Sequence, residues 1–242
     1  MKTRIKTGFA ALVLLLAISC KKENSTIQTS SIDGNSSAQN GVIDDKVLAG
    51  NTVKIGTQIW KLSNLGTKYY RNGDTIPQVT DPTAWAALTT GAWCWYNNDS
   101  ATYAQTYGKL YNWYAVNDPR GLAPAGYHVP SDAEWDTLST FLGGDAVAGG
   151  KMKSTGTIEA GTGLWISPNR KGTNRSGFTG LPGGSRYYYG AFNGLGIYAE
   201  WWSSTEYDIN GAWLRILDTR YGSIFVGENS KKYGFYVRCL AD

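Results

Sequence analysis

The sequence predicts one α+β domain with short antiparallel strands, two or three helices and long ordered loops. Three observations support this class. Apolar residues make up 42% of the chain and aromatic residues 13%, which is enough for a sizeable core. The 30 glycines separate short runs of strand-forming residues. Only a few stretches have helical spacing, and two of these begin at a recognisable capping residue.

Residues 1–19 have the features of an export signal. Three cations precede an apolar run over residues 9–18, and a small residue follows it. The run has ten residues, whereas a membrane-spanning helix needs roughly 20, so no transmembrane channel or transporter is predicted. With Cys20 directly after it, the segment resembles a bacterial lipoprotein signal. The resemblance implies cleavage before Cys20 and acylation of its thiol, which gives a lipid anchor in a membrane.

Residues 20–50 are predicted to form a flexible tether. From Lys21 to Gly50 the chain has no aromatic residue and is rich in Ser, Thr, Asn, Gln and Gly. Such a stretch buries too little apolar area to offset the entropy that ordering costs. Its first charged residues also resemble, weakly, the export tag of surface lipoproteins, and ordinary linker charges explain them equally well. We therefore expect a bacterial outer-membrane lipoprotein, exposed at the surface or facing the periplasm.

Charge and composition exclude several classes of function. The formal net charge is +4, but Lys2, Arg4 and Lys6 leave with the signal, so 20 Lys and Arg remain against 19 acids. A nearly neutral domain gives no support for a nucleic-acid partner. The single His, the lack of a Cys-x-x-Cys pair and the lack of a P-loop argue against zinc enzymes, P-loop NTPases and Rossmann dehydrogenases. No cofactor is predicted.

Residues 51–242 are predicted to be the folded domain, because all ten Trp lie from Trp60 onward. No repeat of fixed period indicates a solenoid or a propeller. Short apolar runs between turn residues predict strands over 52–55, 58–60, 92–96, 127–129, 212–217, 223–226 and 234–239.

Three helices are predicted in this domain. The sharpest signal is the capping box formed by Ser131 and Glu134, which starts a helix over 132–142. Asp81, followed by proline, has the form of an N-cap and predicts a second helix. A third short helix is predicted over 109–116, where apolar residues share one face.

Several phrases of the domain together resemble one family. They cover residues 52–60, 64–65, 95–98, 107–113, 124–135, 177–178, 181–184, 201–206 and 233–239. In order and spacing they resemble the Fibrobacter succinogenes major paralogous domain, found on secreted and lipoprotein chains of Fibrobacter and Bacteroidetes-type bacteria. The resemblance implies a C-type-lectin-like fold, related to that of the formylglycine-generating enzyme, and a domain of unknown biochemical role. Members often have a cysteine at the position of Ala123, so a disulfide there is absent or replaced.

Cys94 and Cys239 remain once Cys20 carries lipid. An exported compartment permits a bridge between them. It would close a loop of 144 intervening residues and stabilise the fold by about 5 kcal/mol. Each cysteine also lies in an apolar run, as a buried free thiol would. The sequence leaves both alternatives open.

Catalytic interpretations of the polar residues are weak. His128 lies near Ser131 and Asp132, but Ser131 already caps a helix and no nucleophile elbow is present. Glu200 and Glu206 would lie about 20 Å apart in an extended strand, whereas glycosidase carboxylates are separated by roughly 5 to 9.5 Å. No catalytic residue is predicted. The alternative is a secreted hydrolase or modifying enzyme that uses His128 or Glu206.

Aromatic side chains give the strongest functional signal. Because alternate strand positions face opposite sides, a small core is not expected to hide them all, although core packing is the alternative at each position. Exposed Trp and Tyr rings are rigid platforms for sugars and peptides. We therefore predict a non-catalytic binding or adhesion module for an extracellular glycan or protein; a purely structural envelope protein is a third alternative. The candidate ligand-binding residues are Trp93, Trp95, Tyr96, Tyr187, Tyr188, Trp201, Trp202 and Glu206.

Three consecutive polar residues after the strand predicted over 92–96 raise the question of a calcium site. Asn97, Asn98 and Asp99 offer oxygen ligands of the kind that calcium prefers. They have neither EF-hand spacing nor the Glu-Pro-Asn sequence of lectins. No metal site is therefore predicted.

Overall fold

The computed structural model describes residues 47–48 and 51–242 of the chain. The predicted export signal at 1–19, the acylation site Cys20 and, apart from residues 47–48, the tether at 20–50 lie outside the described residues. The described part consists of helices and short antiparallel strands joined by long loops, which confirms the α+β class. It contains no helix that is long and apolar enough to cross a membrane.

Strands and helices in the described residues are short. The strands are β1 Val47–Leu48, β2 Thr52–Ile55, β3 Gln58–Lys61, β4 Trp93–Cys94, β5 Leu110–Tyr111, β6 Tyr127–His128, β7 Gly183–Arg186, β8 Phe192–Leu195, β9 Tyr198–Glu206, β10 Gly211–Asp218, β11 Ile224–Ser230 and β12 Leu240–Ala241. The helices are α1 Pro82–Ala86, α2 Ser100–Tyr107, α3 Trp113–Val116, α4 Asp132–Phe141 and α5 Asp145–Met152, and a 3₁₀ turn covers Tyr96–Asn98.

Eight of the twelve strands in the described residues belong to two antiparallel sheets. The larger one has the strand order β1-β2-β3-β12-β6. In it Leu240 pairs with Trp60 on one side and with His128 on the other. The smaller sheet has the order β11-β10-β9, and the pairs β4-β5 and β7-β8 stand separately. The last strand of the chain therefore completes the sheet that the first strands begin.

The segment before β12 joins three parts of the fold. The sequence predicts a continuous strand over 234–239, and this prediction is wrong. The segment instead makes single bridges to β5, β7 and β9: Phe235 to Tyr111, Gly234 to Arg186 and Tyr236 to Trp201. Because its partners belong to different sheets, no regular ladder forms along it.

Two helices begin at the predicted capping residues. Before α4, the Ser131 hydroxyl accepts a hydrogen bond from the Glu134 backbone N–H at 3.3 Å, and the Glu134 carboxylate accepts one from the Ser131 N–H at 2.8 Å. Before α1, the Asp81 carboxylate accepts a hydrogen bond from the Ala84 N–H at 2.7 Å. The capping box, the helix predicted over 132–142 and the helix start at Asp81 are confirmed.

The helix predicted over 109–116 is only partly correct. Its first part forms β5, and helix α3 begins after Asn112. The Asn112 side-chain oxygen accepts a hydrogen bond from the Ala115 N–H at 3.1 Å and so caps this short helix.

Several observed elements are not among the predicted ones: helices α2 and α5 and strands β1, β7, β8, β9 and β12. Helix α5 contains Gly149 and Gly150, which normally favour turns. A Cβ at Gly149 would lie only 2.0 Å from the carbonyl oxygen of Ser223. The glycine therefore allows the helix to pack closely against the chain beside β11, a requirement that arises only in the folded protein.

Strand β9 separates two regions of the core. The Trp201 ring lies 6.1 Å from that of Trp135 and 5.4 Å from that of Phe178, in one region. The Trp202 ring lies 4.6 Å from that of Phe235, in the other. Successive strand residues face opposite sides, and here both sides are covered. Adjacent tryptophans are therefore both buried.

Buried cations link loops through backbone carbonyls. The Lys153 ammonium donates hydrogen bonds to the carbonyl oxygens of Arg170, Asp218 and Tyr221 at 2.7–2.9 Å. Burial lowers the pKa of Lys153 to about 8. Arg238 is also buried and donates to two carbonyls at 2.7 and 3.1 Å, and burial lowers its pKa to about 9. These contacts replace the water that the charges lose on folding.

Candidate functional site: an exposed tyrosine cluster

Four of the predicted ligand-binding aromatics lie in the core. Trp201 and Trp202 are fully buried, and Trp93 and Tyr96 are 5% and 6% exposed. The three indole N–H groups donate hydrogen bonds inside the protein at 2.8–2.9 Å. Trp95 is only partly exposed, with its ring edge-on to Trp93 at 5.4 Å. These four rings therefore take the core-packing alternative that the sequence left open at each position, because sheets and loops cover both faces of the segments that carry them.

An exposed aromatic cluster does form, in the loop between β7 and β8. Tyr188 and Tyr189 are 48% and 50% exposed, and Tyr187 and Tyr233 are partly buried beside them. The four rings contact one another in a closed cycle, with neighbouring centroids 5.1–5.7 Å apart. We call these four residues the tyrosine surface.

Pairing between distant segments assembles the tyrosine surface. Arg186 and Gly234 exchange both of their backbone hydrogen bonds, at 3.0 and 2.8 Å. The neighbouring residues Tyr187 and Tyr233 are thereby placed side by side, with ring centroids 5.5 Å apart. Tyr233 is not among the site residues that the sequence predicts, because no local pattern encodes this pairing.

The loop that carries the exposed rings is held firmly. Gly190 has φ +95°, and a Cβ there would lie 2.5 Å from the Cα of Pro82. The buried guanidinium of Arg186 donates hydrogen bonds to the carbonyl oxygens of Val79 and Thr80 at 2.6 and 2.8 Å. The loop is therefore fixed at its base, which limits the entropy that its tyrosines would lose on binding.

A buried carboxyl group lies close to the tyrosine surface. Glu200 on β9 is buried, and its Oε2 has no hydrogen-bond partner among the described residues. Burial raises the pKa of Glu200 to about 7, although a hydrogen bond from Ser185 offsets part of the rise. Burial also raises the pKa of Tyr187, and the charge of Glu200 adds to this effect. Glu200 is therefore largely protonated below pH 7, close to the rings.

His128 lies between two carboxylates. Its Nδ1 is 2.8 Å from an Asp242 oxygen and its Nε2 is 2.9 Å from a Glu134 oxygen. Partial burial lowers the pKa of His128, but the hydrogen bonds to Asp242 and Glu134 outweigh this, so its pKa is raised. The Ser131 hydroxyl donates to Glu134 at 2.8 Å, and no hydrogen bond joins Ser131 to His128. A cavity of about 370 Å³ opens beside these residues.

The two glutamates of β9 are not arranged as a catalytic pair. Glu200 is buried near one end of the strand, and Glu206 ends the strand with its side chain half exposed. The Glu206 carboxylate forms an ion pair with Lys231, whose ammonium also donates to the Ile209 carbonyl oxygen at 2.8 Å. Glu206 thus helps to fix the turn after β9.

Cys94 and Cys239 are both free and buried, so the disulfide left open by the sequence is not formed. Cys94 belongs to one region of the core and Cys239 to the other. Burial raises the pKa of each thiol to about 12, which leaves both uncharged and unreactive at neutral pH. They pack as small apolar side chains.

The oxygens considered for calcium have structural roles. The Asp99 carboxylate caps α2 by accepting a hydrogen bond from the Thr102 N–H at 3.1 Å. The Asn98 amide donates to the Thr80 carbonyl oxygen at 3.1 Å. Within residues 51–242 no three His, Cys, Asp or Glu side chains are grouped closely enough to hold a metal ion.

Comparison with known proteins gives one match. The family model described as the Fibrobacter succinogenes major domain matches residues 53–241. No curated protein and no solved structure matches the chain.

Proposed function

Since the chain belongs to the Fibrobacter succinogenes major domain family, we propose that it is a lipoprotein with a non-catalytic binding module for an extracellular glycan or protein. Acylation of Cys20 anchors it in the outer membrane, and residues 20–50 tether the domain at the cell surface. The proposed fold of the domain is C-type-lectin-like. The observation that carries the binding role is the tyrosine surface.

Exposed aromatic rings at this density favour binding. Folding gains most from burying large rings, so a surface with Tyr188 and Tyr189 half exposed and in mutual contact leaves apolar area that a ligand can cover. Each ring is held by its neighbours, so little side-chain entropy is lost on contact. Asn193 offsets part of the rise that burial causes in the pKa of Tyr187, so a polar group lies near the edge of the surface. Flat rings with a polar edge suit the faces of sugar rings.

The polar residues give less support to the enzyme alternative. A general base needs a nitrogen lone pair, and both nitrogens of His128 face carboxylates that favour the protonated ring. Ser131 is engaged by Glu134 as part of the helix cap. Glu206 is paired with Lys231. These contacts favour binding over turnover.

The binding role is tested on a glycan array and on extracellular matrix proteins with the full chain. We expect the double variant Tyr188→Ala/Tyr189→Ala to bind at least about tenfold more weakly than the parent, since each ring supplies a large share of contact area. Tyr207→Ala is the matched control, because Tyr207 is also 50% exposed and packs on Trp213 outside the tyrosine surface. Its binding is expected to match that of the parent.

Two results would count against this function. Equal binding by the double variant and the parent would show that the tyrosine surface is not the binding site. Cleavage or modification of a bound ligand by the parent, abolished in His128→Ala, would favour the enzyme alternative. The anchor is tested separately, by mass spectrometry of the protein from its own cells: Cys20 should carry acyl chains, and Cys20→Ala should release the protein from the membrane fraction.

A further inference from the structure

Lys151, Lys171 and Arg175 line a cavity of about 230 Å³ between helix α5 and the loop that follows it. We call this cavity the cationic pocket. Its lining includes no residue of the tyrosine surface. The pocket is therefore a second feature with its own chemistry, separate from the tyrosine surface.

No acidic side chain of the described residues forms an ion pair with the three cations of the cationic pocket. The chain has no Asp or Glu between Glu159 and Glu200, a stretch that contributes Lys171 and Arg175. None of the ion pairs among the described residues involves Lys151, Lys171 or Arg175. Three cations around one concavity raise the local concentration of anions even though the domain is almost neutral overall.

Close backbone packing fixes the position of Lys171. A Cβ at Gly150 would lie 2.6 Å from the Lys171 carbonyl oxygen, and a Cβ at Gly222 would lie 3.0 Å from the Lys171 Cγ. Lys171 itself has φ +62°, a conformation that non-glycine residues rarely adopt. The fold thus holds this lysine in an unfavourable backbone conformation with two glycines packed against it.

Hydrogen bonds fix the rest of the pocket. The Gly150 N–H donates to the Gly222 carbonyl oxygen at 2.7 Å, and the Thr173 N–H donates to the Gly150 carbonyl oxygen at 2.8 Å. The buried Lys153 ties the loop before Lys171 to the loop before Gly222 through the carbonyls of Arg170 and Tyr221. The cations are therefore presented on a rigid frame, which lowers the entropic cost of binding.

Size and lining indicate the kind of ligand. Ala146, Val147 and two glycines give the pocket an apolar floor, and the three cationic side chains complete its lining together with Thr173. The Lys151 ammonium also donates a hydrogen bond to the Leu142 carbonyl oxygen at 2.8 Å. Its volume is below the roughly 300–1,000 Å³ of sites for drug-sized molecules, so it suits one ring with one charged group. A concave site of this size accommodates a single ring with one charged group. It is less suited to the flat surface of a membrane.

We propose that the cationic pocket binds the carboxylate or sulfate group of an acidic polysaccharide. The ammonium group of Lys171 and the guanidinium of Arg175 donate charge-assisted hydrogen bonds to the anion, and Lys151, whose ammonium is held by the Leu142 carbonyl oxygen, adds its positive charge. The apolar floor contacts the carbon face of the sugar that carries it. The ligand of this pocket is thus an acidic sugar rather than a neutral one.

The test measures binding of the full chain to immobilised polygalacturonate, heparin and neutral dextran in 0.15 M salt. Polygalacturonate presents carboxylates and heparin presents sulfates, so the two polymers distinguish the sources of charge. We expect binding to at least one of them and weaker binding to dextran. Lys171→Ala/Arg175→Ala should weaken binding to the acidic polymers at least about tenfold. Lys171→Arg, which keeps the charge, should bind them more tightly than Lys171→Ala does.

The matched control is Lys54→Ala/Lys68→Ala, which removes the same charge from two exposed lysines outside the pocket. At this salt concentration charges are screened beyond about 8 Å, so the control should bind as the parent does. Equal losses in both double variants would show a diffuse charge effect and overturn the proposal. So would binding to neither acidic polymer, or binding to anionic phospholipid vesicles alone.

A further variant separates this proposal from the proposed function. Tyr188→Ala/Tyr189→Ala should keep the preference for acidic over neutral polymers, even if its total affinity falls. The opposite result would be a tyrosine variant that loses the preference for acidic polymers while Lys171→Ala/Arg175→Ala keeps it. That result would show that the tyrosine surface recognises the acidic polymer, and it would contradict the proposal for the cationic pocket. Thermal unfolding of each variant confirms that the fold is retained.

Discussion

Gly234 lies so close to Arg186 that a Cβ at position 234 would be 3.1 Å from the Arg186 Cβ, and equally close to the Trp85 ring. No larger side chain fits there without movement. The position matters for the site, because the pairing of these two residues brings Tyr187 beside Tyr233. A change at Gly234 therefore acts on both stability and ligand contact.

Gly234→Val should destabilise the domain by about 1–3 kcal/mol, because the added methyl groups force the surrounding side chains to shift. It should also weaken any binding that depends on the tyrosine surface. Urea unfolding measures the first effect and the glycan array the second. Gly66→Val is the control, since a Cβ at Gly66 meets no atom within 4 Å. Equal stability of the two variants would contradict the packing argument.

Stability should fall as pH rises from about 4.5 to about 7, through the titration of Glu200. Burial raises the pKa of this carboxyl to about 7 in the folded state, against an ordinary value of 4.5. The unfolded chain releases the proton first, so the folded state loses relative stability across this interval and the effect levels off above it. The pKa shift of Glu200 corresponds to a loss of about 3 kcal/mol in the free energy of unfolding.

Glu200→Gln removes this titration. The variant should match the parent near pH 4.5 and exceed its free energy of unfolding at pH 8, as measured by urea unfolding at several pH values. Glu228→Gln, which changes an exposed glutamate on β11, should leave the pH dependence of the parent unchanged. A Glu200→Gln variant that loses stability with pH as steeply as the parent would assign the titration to another group.

His128 should titrate above its ordinary pKa of 6.5, because its hydrogen bonds to Asp242 and Glu134 outweigh partial burial. The stabilisation from these contacts is complete below pH 6.5 and is lost as the pH rises through the raised pKa. His128 is the single histidine of the chain, so its NMR signal needs no assignment. Asp242→Asn should lower its pKa, and Asp145→Asn should not. A pKa below 6.5 in the parent would contradict this geometry.

Features of the fold that depend on neighbouring residues were predictable from the sequence. The capping box of Ser131 and Glu134 involves residues three positions apart, so the sequence contains all of its parts. The same holds for the cap at Asp81. In the run of tyrosines at 187–189, the candidate Tyr188 is half exposed, and the candidate Tyr187 is partly buried.

Features that depend on distant contacts were not predictable. Alternation along β9 suggests that either Trp201 or Trp202 is exposed, but a second region of the core covers the other face. The helix at Gly149 needs its neighbour at Ser223, and Tyr233 joins the site only through pairing at residue 234. In each case the deciding partner is more than 30 positions away in the chain.

The position of β9 between two packed regions has a consequence for how the molecule comes apart. Opening on either side uncovers an indole, from Trp201 on one face or Trp202 on the other, and so weakens the strand that the opposite side needs for its own order. We therefore expect that neither region of the core unfolds while the other stays folded. The domain is thus expected to lose its structure in one concerted step, and dividing the gene within β9 would give two fragments that are each unable to fold alone.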